Sequence, residues 1–292
     1  MFSFIIKIQL ITFWRDLSIK KMVTLEELLN KKVIIPGAEP FFLRDQTSNI
    51  GVLMLHGLTD SPKIMSGLAK LLYDQSDKKI ASLAPLFTGH GTTIEDLKNA
   101  KKEQWYEDSV LAFEKLRERY DNIFLIGFSM GANLCYLLTE EFREENKIKG
   151  IVSISGAFDL KTKLKSGAKV LSLFKDYLEK NRKEEKEKGG NLYWAGYQSY
   201  PLNAVKELIS LGNQTKKVAS KIHVPCLLFQ GKGDNLLKKN CAKNMYEKLE
   251  NVTDKELVIM DARHLLPTYK ETLPELSKKI YEFIHKTICP MQ

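Results

Sequence analysis

The chain alternates short apolar runs with longer amphipathic stretches, and this order constrains its fold more than any other feature. Six runs are almost continuously apolar, as strands covered on both faces of a parallel sheet usually are. They are Ile50–Leu55, Ile80–Ala84, Ile123–Gly127, Ile151–Ser155, Cys226–Gln230 and Glu256–Met260. Apolar residues at helical spacing occupy the intervals at Met65–Asp74, Trp105–Tyr120, Met130–Arg143, Lys239–Leu249 and Leu273–His285. Strands that alternate with helices predict an α/β fold with a mostly parallel, doubly wound sheet.

One interval is too long for a single crossover helix. Seventy residues separate Ser155 from Cys226, whereas a crossover connection needs only about a dozen. Apolar residues at helical spacing run from Leu164 to Leu178 and again over Leu202–Leu211. We therefore predict a helical cap at residues 161–220, inserted into a core made of residues 22–160 and 221–292.

Composition and charge exclude several classes of protein. Hydrophobic residues make up 43% of the 292 residues, which suits one large core, and no apolar run reaches the roughly 20 residues of a membrane-spanning helix. The net charge of +9 is scattered along the chain, whereas a nucleic-acid-binding protein concentrates its charge on one face. No nucleic-acid partner is expected, and weak contact with anionic lipid surfaces is left as an alternative.

The N-terminus and the cysteines indicate an intracellular protein. The apolar segment before Trp14 is interrupted by Lys7 and lacks the layout of a signal peptide. Residues 1–21 are therefore interpreted as an extension upstream of a biological start at Met22, with an interfacial amphipathic anchor as the alternative. Four widely spaced cysteines predict neither a disulfide nor a metal site. We expect a cytoplasmic monomer or homodimer.

A serine lies where the third apolar run meets a helix, in Gly127-Phe128-Ser129-Met130-Gly131. Small residues flank a serine in this way when the turn from strand to helix is sharp, and such a turn exposes the hydroxyl above the edge of the sheet. Ser129 is therefore a candidate nucleophile. A serine nucleophile needs a base to take its proton and an acid to orient that base.

Both partners are found after later strands, in the chain order serine, acid, histidine that is expected when the serine occupies such a strand-to-helix turn. Asp234 follows the run that ends at Gln230, and His264 follows the run that ends at Met260. Asp159, after the preceding strand, is the alternative acid.

Two backbone N–H groups are candidates for holding an oxyanion. One belongs to Met130, directly after the serine, and the other to Leu58, in the sequence His56-Gly57-Leu58 that follows the first apolar run. No nucleotide, flavin or metal motif occurs in the sequence, so no cofactor and no metal are expected.

These residues resemble the bacterial carboxylesterase and monoacylglycerol lipase branch of the α/β-hydrolases, from about Glu39 to the C-terminus. The resemblance rests on Leu53–Thr59, Ala84–Gly91, Trp105 with Asp108, Gly127–Gly131 and Gln230–Asp234. It implies the α/β-hydrolase fold with an inserted helical cap. It also implies hydrolysis of short to medium acyl esters or monoglycerides without a cofactor.

The cap is expected to roof the site and to bind the acyl chain of a small-molecule ester. The candidate substrate-binding residues are Leu171, Phe174, Tyr193, Trp194 and Tyr197. A thioesterase or acyltransferase with the same triad is the alternative enzyme. A binding protein without catalytic activity and a protein that contacts lipid surfaces through the basic cap are the alternatives from other classes.

Overall fold

A seven-stranded sheet forms the centre of the molecule. The computed structural model describes residues 24–161, 175–180 and 194–289. Their strands are β1 (Phe41–Leu43), β2 (Ile50–Leu55), β3 (Ile80–Ala84), β4 (Ile123–Phe128), β5 (Ile148–Ile154), β6 (Tyr177–Glu179), β7 (Ser199–Pro201), β8 (Cys226–Gly231) and β9 (Lys255–Met260). The sheet has the order β1-β3-β2-β4-β5-β8-β9, and β6 pairs with β7 outside it. Only the β1–β3 pair of the sheet is antiparallel, so the predicted mostly parallel sheet is confirmed.

Helices cover both faces of the sheet. Those of the described residues are α1 (Leu25–Leu29), α2 (Lys63–Gln75), α3 (Ile94–Asn99), α4 (Lys102–Arg117), α5 (Met130–Glu141), α6 (Leu202–Val218), α7 (Cys241–Lys248) and α8 (Leu273–Ile288). Successive side chains of a strand point to opposite faces. Val52 and Met54 of β2 therefore pack with α2 and α8, whereas Leu53 and Leu55 pack with α4 and α5.

The predicted elements of the core are present, and three short ones, β1, α1 and α3, were missed. All six predicted strands and five predicted core helices end within three residues of their predicted bounds. The missed strand β1 is an edge strand of three residues, with Phe42 opposite Leu83. The missed helix α3 has six residues and begins with a capping box at Thr93. Elements this short do not show a hydrophobic period.

The interval from residue 161 to residue 220 combines helix and strand in its described parts. Helix α6 confirms the helix predicted from Leu202 and extends it to Val218. The helical spacing predicted through Leu178 is wrong at that residue, which lies in β6 opposite Tyr200 of β7. A hairpin of two three-residue strands has too few positions to reveal an alternating pattern.

Part of the predicted cap, including Leu171, Phe174 and Tyr193, lies outside the described residues, as does the extension at residues 1–21. In the ranges that are described, no helix is both long enough and apolar enough to cross a membrane.

Candidate active site

Ser129 stands at a sharp turn between β4 and α5. Its φ and ψ are 52° and −108°, a conformation that costs free energy in a residue with a side chain. Two backbone hydrogen bonds hold the turn. The N–H of Ser129 donates to the Ile154 carbonyl (2.9 Å), and its own carbonyl accepts from the N–H of Ala157 (3.0 Å).

The glycines around this serine are required because backbones approach each other closely. A Cβ on Gly127 would overlap the backbone of Ala132, in the first turn of α5. A Cβ on Gly131 would overlap the carbonyl oxygen of Leu55, at the end of β2. Without these side chains α5 starts directly against the strands. Its N-terminal N–H groups and dipole therefore face the space beside Ser129.

The structure brings Ser129, His264 and Asp234 together. Nε2 of His264 lies 3.1 Å from Oγ of Ser129, and Nδ1 lies 2.7 Å from Oδ2 of Asp234. Asp234 follows β8 and His264 follows the neighbouring strand β9, so both loops are at the carboxyl edge of the sheet. Only 7%, 3% and 6% of the serine, histidine and aspartate are exposed. This geometry allows the hydroxyl proton to pass to a histidine that a carboxylate orients.

The second carboxylate oxygen of Asp234 is fixed by the backbone. Oδ1 accepts from the N–H groups of Leu236 and Leu237, both at 2.9 Å. Burial raises the pKa of Asp234, but the charge and ring hydrogen bond of His264 and these two N–H groups outweigh burial. The pKa of Asp234 is therefore held below its usual range. The carboxylate is ionised at neutral pH, as an orienting acid must be.

Asp159, the alternative acid, lies in a different environment. Its carboxylate pairs with the ammonium of Lys238 at 2.8 Å. Both ring nitrogens of His264 are already engaged, one with Asp234 and the other with Ser129. The observed geometry therefore favours Asp234 over Asp159.

The N–H groups of Leu58 and Met130 belong to the loop after β2 and to the start of α5, respectively. Met130 is the first residue of α5, so its N–H has no acceptor within the helix. Leu58 follows β2 and lines the same cavity as Ser129. Within the described residues, neither N–H donates to a protein acceptor. Both are therefore available to an oxyanion.

A small cavity above Ser129 has an apolar wall and a polar wall. The apolar wall consists of Leu58, Leu160, Val205, Leu208, Leu236, Leu237 and Leu265. The polar wall contains Asp60 and Lys180, beside Tyr200. Sequence reasoning missed the polar wall. Asp60 lies two residues after Leu58, which was a usable signal, but nothing in the pattern around Lys180 distinguished it from other lysines of the interval.

Trp194 and Tyr197, predicted as substrate contacts, are not among the residues that line the described part of this cavity. The indole Nε1 of Trp194 donates to Asp60 at 2.8 Å. The hydroxyl of Tyr197 donates to the Gly89 carbonyl (2.8 Å) and accepts from the N–H of Thr92 (3.1 Å). Both aromatic residues attach the inserted segment to loops of the core, because their polar groups find partners there.

Among the described residues, no cluster of histidine, cysteine, aspartate and glutamate side chains could hold a metal ion. The cysteines, all four of which are described, are free thiols. Burial raises the pKa of Cys241 to about 12, so that thiol is not a thiolate nucleophile at neutral pH.

Residues 47–268 match the sequence model of the serine aminopeptidase S33 family of hydrolases. The chain belongs to this family. The S33-family chain is 27% identical over 255 residues to the thermostable monoacylglycerol lipase of Bacillus sp. (strain H-257), covering 87% of this chain and 96% of that protein. It is 24% identical over 256 residues to the carboxylesterase of Bacillus subtilis (strain 168), covering 87% and 98%.

The fold of this S33-family chain is also that of solved lipolytic enzymes. A structure from a study of two metagenome-derived lipolytic enzymes, LipS and LipT, matches with a TM-score of 0.76 and 27% identity, covering 87% of this chain and all of that one. The predicted branch, carboxylesterases and monoacylglycerol lipases of the α/β-hydrolases, is confirmed, and the protein is a serine ester hydrolase. The similarities do not favour the thioesterase or acyltransferase alternative.

Proposed function

We propose that this enzyme hydrolyses carboxylic esters through Ser129, His264 and Asp234, by way of an acyl-enzyme. One observation carries the proposal: a continuous set of contacts runs from the serine hydroxyl through His264 to an ionised, buried carboxylate. Ester substrates are small molecules, and the residues of this chain supply every group that the reaction needs.

In the first half of the reaction, Oγ of Ser129 attacks the ester carbonyl while Nε2 of His264 takes its proton. Asp234 keeps the proton of the imidazole on Nδ1 and stabilises the imidazolium that forms. The N–H groups of Leu58 and Met130 donate to the oxyanion, where α5 contributes its dipole. His264 then returns the proton to the leaving alcohol as the tetrahedral intermediate collapses.

In the second half, water replaces the alcohol. His264 removes a proton from the water, which attacks the acyl-Ser129 carbonyl and forms a second oxyanion at the same two N–H groups. Collapse of this intermediate releases the carboxylic acid and restores the Ser129 hydroxyl. The protons balance, because each half of the reaction uses and restores the neutral imidazole.

The substrates that we propose are short to medium acyl esters or monoglycerides. The leucine-rich wall of the cavity supports acyl binding, since each methylene buried there contributes about 0.8 kcal/mol. Residues 161–220 would act as the cap, and Leu171, Phe174 and Tyr193 remain proposed contacts of the acyl chain. A p-nitrophenyl ester series from acetate to palmitate tests this, and a steady fall in kcat/KM from acetate onward contradicts an acyl pocket.

A fluorophosphonate probe followed by peptide mapping tests the nucleophile. We expect label on Ser129 and none on a Ser129→Ala variant, which should also lose at least about a thousandfold in kcat. A matched Ser109→Ala variant, at another buried serine, should still be labelled on Ser129 and should keep the kcat of the unchanged enzyme. Ester and amide substrates of one acyl group should be tested together, because a faster amide reaction would redirect the proposal toward peptide hydrolysis.

A further inference from the structure

Thr59, the residue after the proposed oxyanion donor Leu58, is held in an unusual backbone conformation. Its φ is +67°, a value that β-branched residues rarely adopt. Its carbonyl accepts from the N–H of Tyr197 at 2.9 Å, and its hydroxyl contacts the Leu58 carbonyl and the Lys180 ammonium. The direction of the Leu58 N–H depends on this turn. The groups that hold Thr59 therefore also hold the oxyanion donor.

His90 is the acceptor for the remaining polar group of Thr59. The N–H of Thr59 donates to Nε2 of His90 at 3.2 Å, and Nδ1 of the same ring lies 3.2 Å from the carbonyl oxygen of Thr88. A carbonyl only accepts, so Nδ1 carries the proton and Nε2 is bare. His90 is 1% exposed. Both ring nitrogens are thus paired with backbone groups, and only a neutral ring can make both hydrogen bonds.

We propose that His90 is a positioning residue for ester hydrolysis: its neutral ring holds Thr59, and through Thr59 it aims the N–H of Leu58 at the oxyanion. The inference rests on the proposed function, because it assumes that Leu58 serves an oxyanion. A protonated ring would present an N–H to the N–H of Thr59. The left-handed turn would then lose one of the bonds that hold it.

The surroundings of His90 keep the ring neutral. The ring of His56 packs edge-on against it, with centroids 4.9 Å apart. Burial lowers the pKa of His90 to about 4, backbone hydrogen bonds and the Asp60 carboxylate raise it in part, and Lys180 lowers it further. Burial also holds the pKa of His56 well below its usual range, so this neighbour is uncharged as well. His90 is consequently an acceptor at neutral pH.

Three variants of the full chain test the inference. His90→Leu removes the acceptor, His90→Gln offers an amide oxygen near the position of Nε2, and Phe87→Leu is the matched control. Phe87 packs against both histidine rings, with centroids 4.4 Å from His56 and 6.2 Å from His90. Its replacement therefore loosens the same cluster without removing the bond to Thr59.

The readout is kcat and KM for p-nitrophenyl butyrate at pH 7.5, normalised to the folded fraction from circular dichroism. For His90→Leu we expect kcat to fall about 10- to 100-fold with KM within about twofold, since a misplaced oxyanion donor weakens the transition state more than the ground state. His90→Gln should recover kcat to within about threefold of the unchanged enzyme, because the amide oxygen restores the acceptor.

Two results overturn the inference. One is a His90→Leu enzyme whose kcat matches that of Phe87→Leu, which would mean that His90 contributes only packing. The other is a loss in His90→Gln as large as in His90→Leu, which would mean that the acceptor does not matter. Failure of the proposed function is distinguishable, because the unchanged enzyme would then show neither ester hydrolysis nor fluorophosphonate label on Ser129.

Discussion

Replacement of Asp234 by asparagine tests the proposed proton transfer at the level of single atoms. Oδ1 of Asp234 accepts from two backbone N–H groups at 2.9 Å, so the asparagine must keep its carbonyl oxygen there. Its amide nitrogen then replaces Oδ2, 2.7 Å from Nδ1 of His264, and donates to that atom. The imidazole is forced to carry its proton on Nε2, where it cannot accept the proton of Ser129.

The expected loss is large and confined to kcat. A wrong tautomer costs about 10⁴-fold, or about 5 kcal/mol of transition-state stabilisation. The matched control is Asp159→Asn, which removes an ion pair with Lys238. The lysine side chain of that pair is 47% exposed and the aspartate 18%, and such pairs contribute about 0 to 1 kcal/mol. The control should therefore keep kcat within about fivefold of the unchanged enzyme.

The assay is the initial rate of p-nitrophenyl butyrate hydrolysis by purified variants, with circular dichroism and thermal unfolding as controls for folding. The reasoning is refuted if Asp234→Asn keeps more than about a tenth of the original kcat. A larger loss in Asp159→Asn than in Asp234→Asn would assign the orienting role to Asp159.

Three further perturbations follow from the same contacts. Gly131→Ala places a Cβ against the Leu55 carbonyl, and we expect urea unfolding to show a loss of about 1 to 3 kcal/mol or more together with lost activity. Burial holds the pKa of His90 near 4 in the folded chain, whereas an unfolded histidine has a pKa of about 6.5. Between these pH values only the unfolded chain binds the proton, so the free energy of unfolding should fall by up to about 3 kcal/mol as the pH drops from 6.5 to 4. Stability in urea that does not change over this range would contradict this, and His90→Gln should weaken the pH dependence. Trp194→Phe removes the bond to Asp60 and should cost about 1.5 to 3 kcal/mol of stability, while an unchanged unfolding curve would show that the bond contributes nothing.

The core could be predicted from sequence because its central strands, β2, β3, β4, β5 and β8, are almost entirely buried. Such strands are nearly uniform apolar runs, and the loops that follow them meet at one edge of a parallel sheet. From their positions after strands, Ser129, Asp234 and His264 could therefore be predicted to lie close together. Their side chains are within hydrogen-bonding distance in the structure. The choice between Asp234 and Asp159 needed coordinates, because both follow strands.

The inserted segment could not be predicted in the same way. Its hairpin aligns Leu178 with Tyr200, across a separation in sequence that no local pattern encodes. Lys180 reaches the cavity because its ammonium stacks 4.6 Å from the ring of Tyr200 and binds the hydroxyl of Thr59. These are tertiary contacts, and in sequence Lys180 is one lysine among many. Trp194 and Tyr197, predicted as substrate contacts, bind polar groups of the core loops, Asp60 and the Gly89 carbonyl respectively.

The inserted segment and the proposed oxyanion loop meet at Thr59, and this has a consequence for substrate binding. A Cβ on Gly196 would overlap the Thr59 carbonyl oxygen, so the two backbones are in direct contact. The Thr59 carbonyl binds Tyr197, and its hydroxyl binds Lys180, which also lines the cavity. A substrate that contacts Lys180 would therefore also affect the position of the turn that we propose directs the N–H of Leu58. We therefore expect contacts made in the cavity to alter kcat as well as KM, because their binding energy reaches the proposed oxyanion donor.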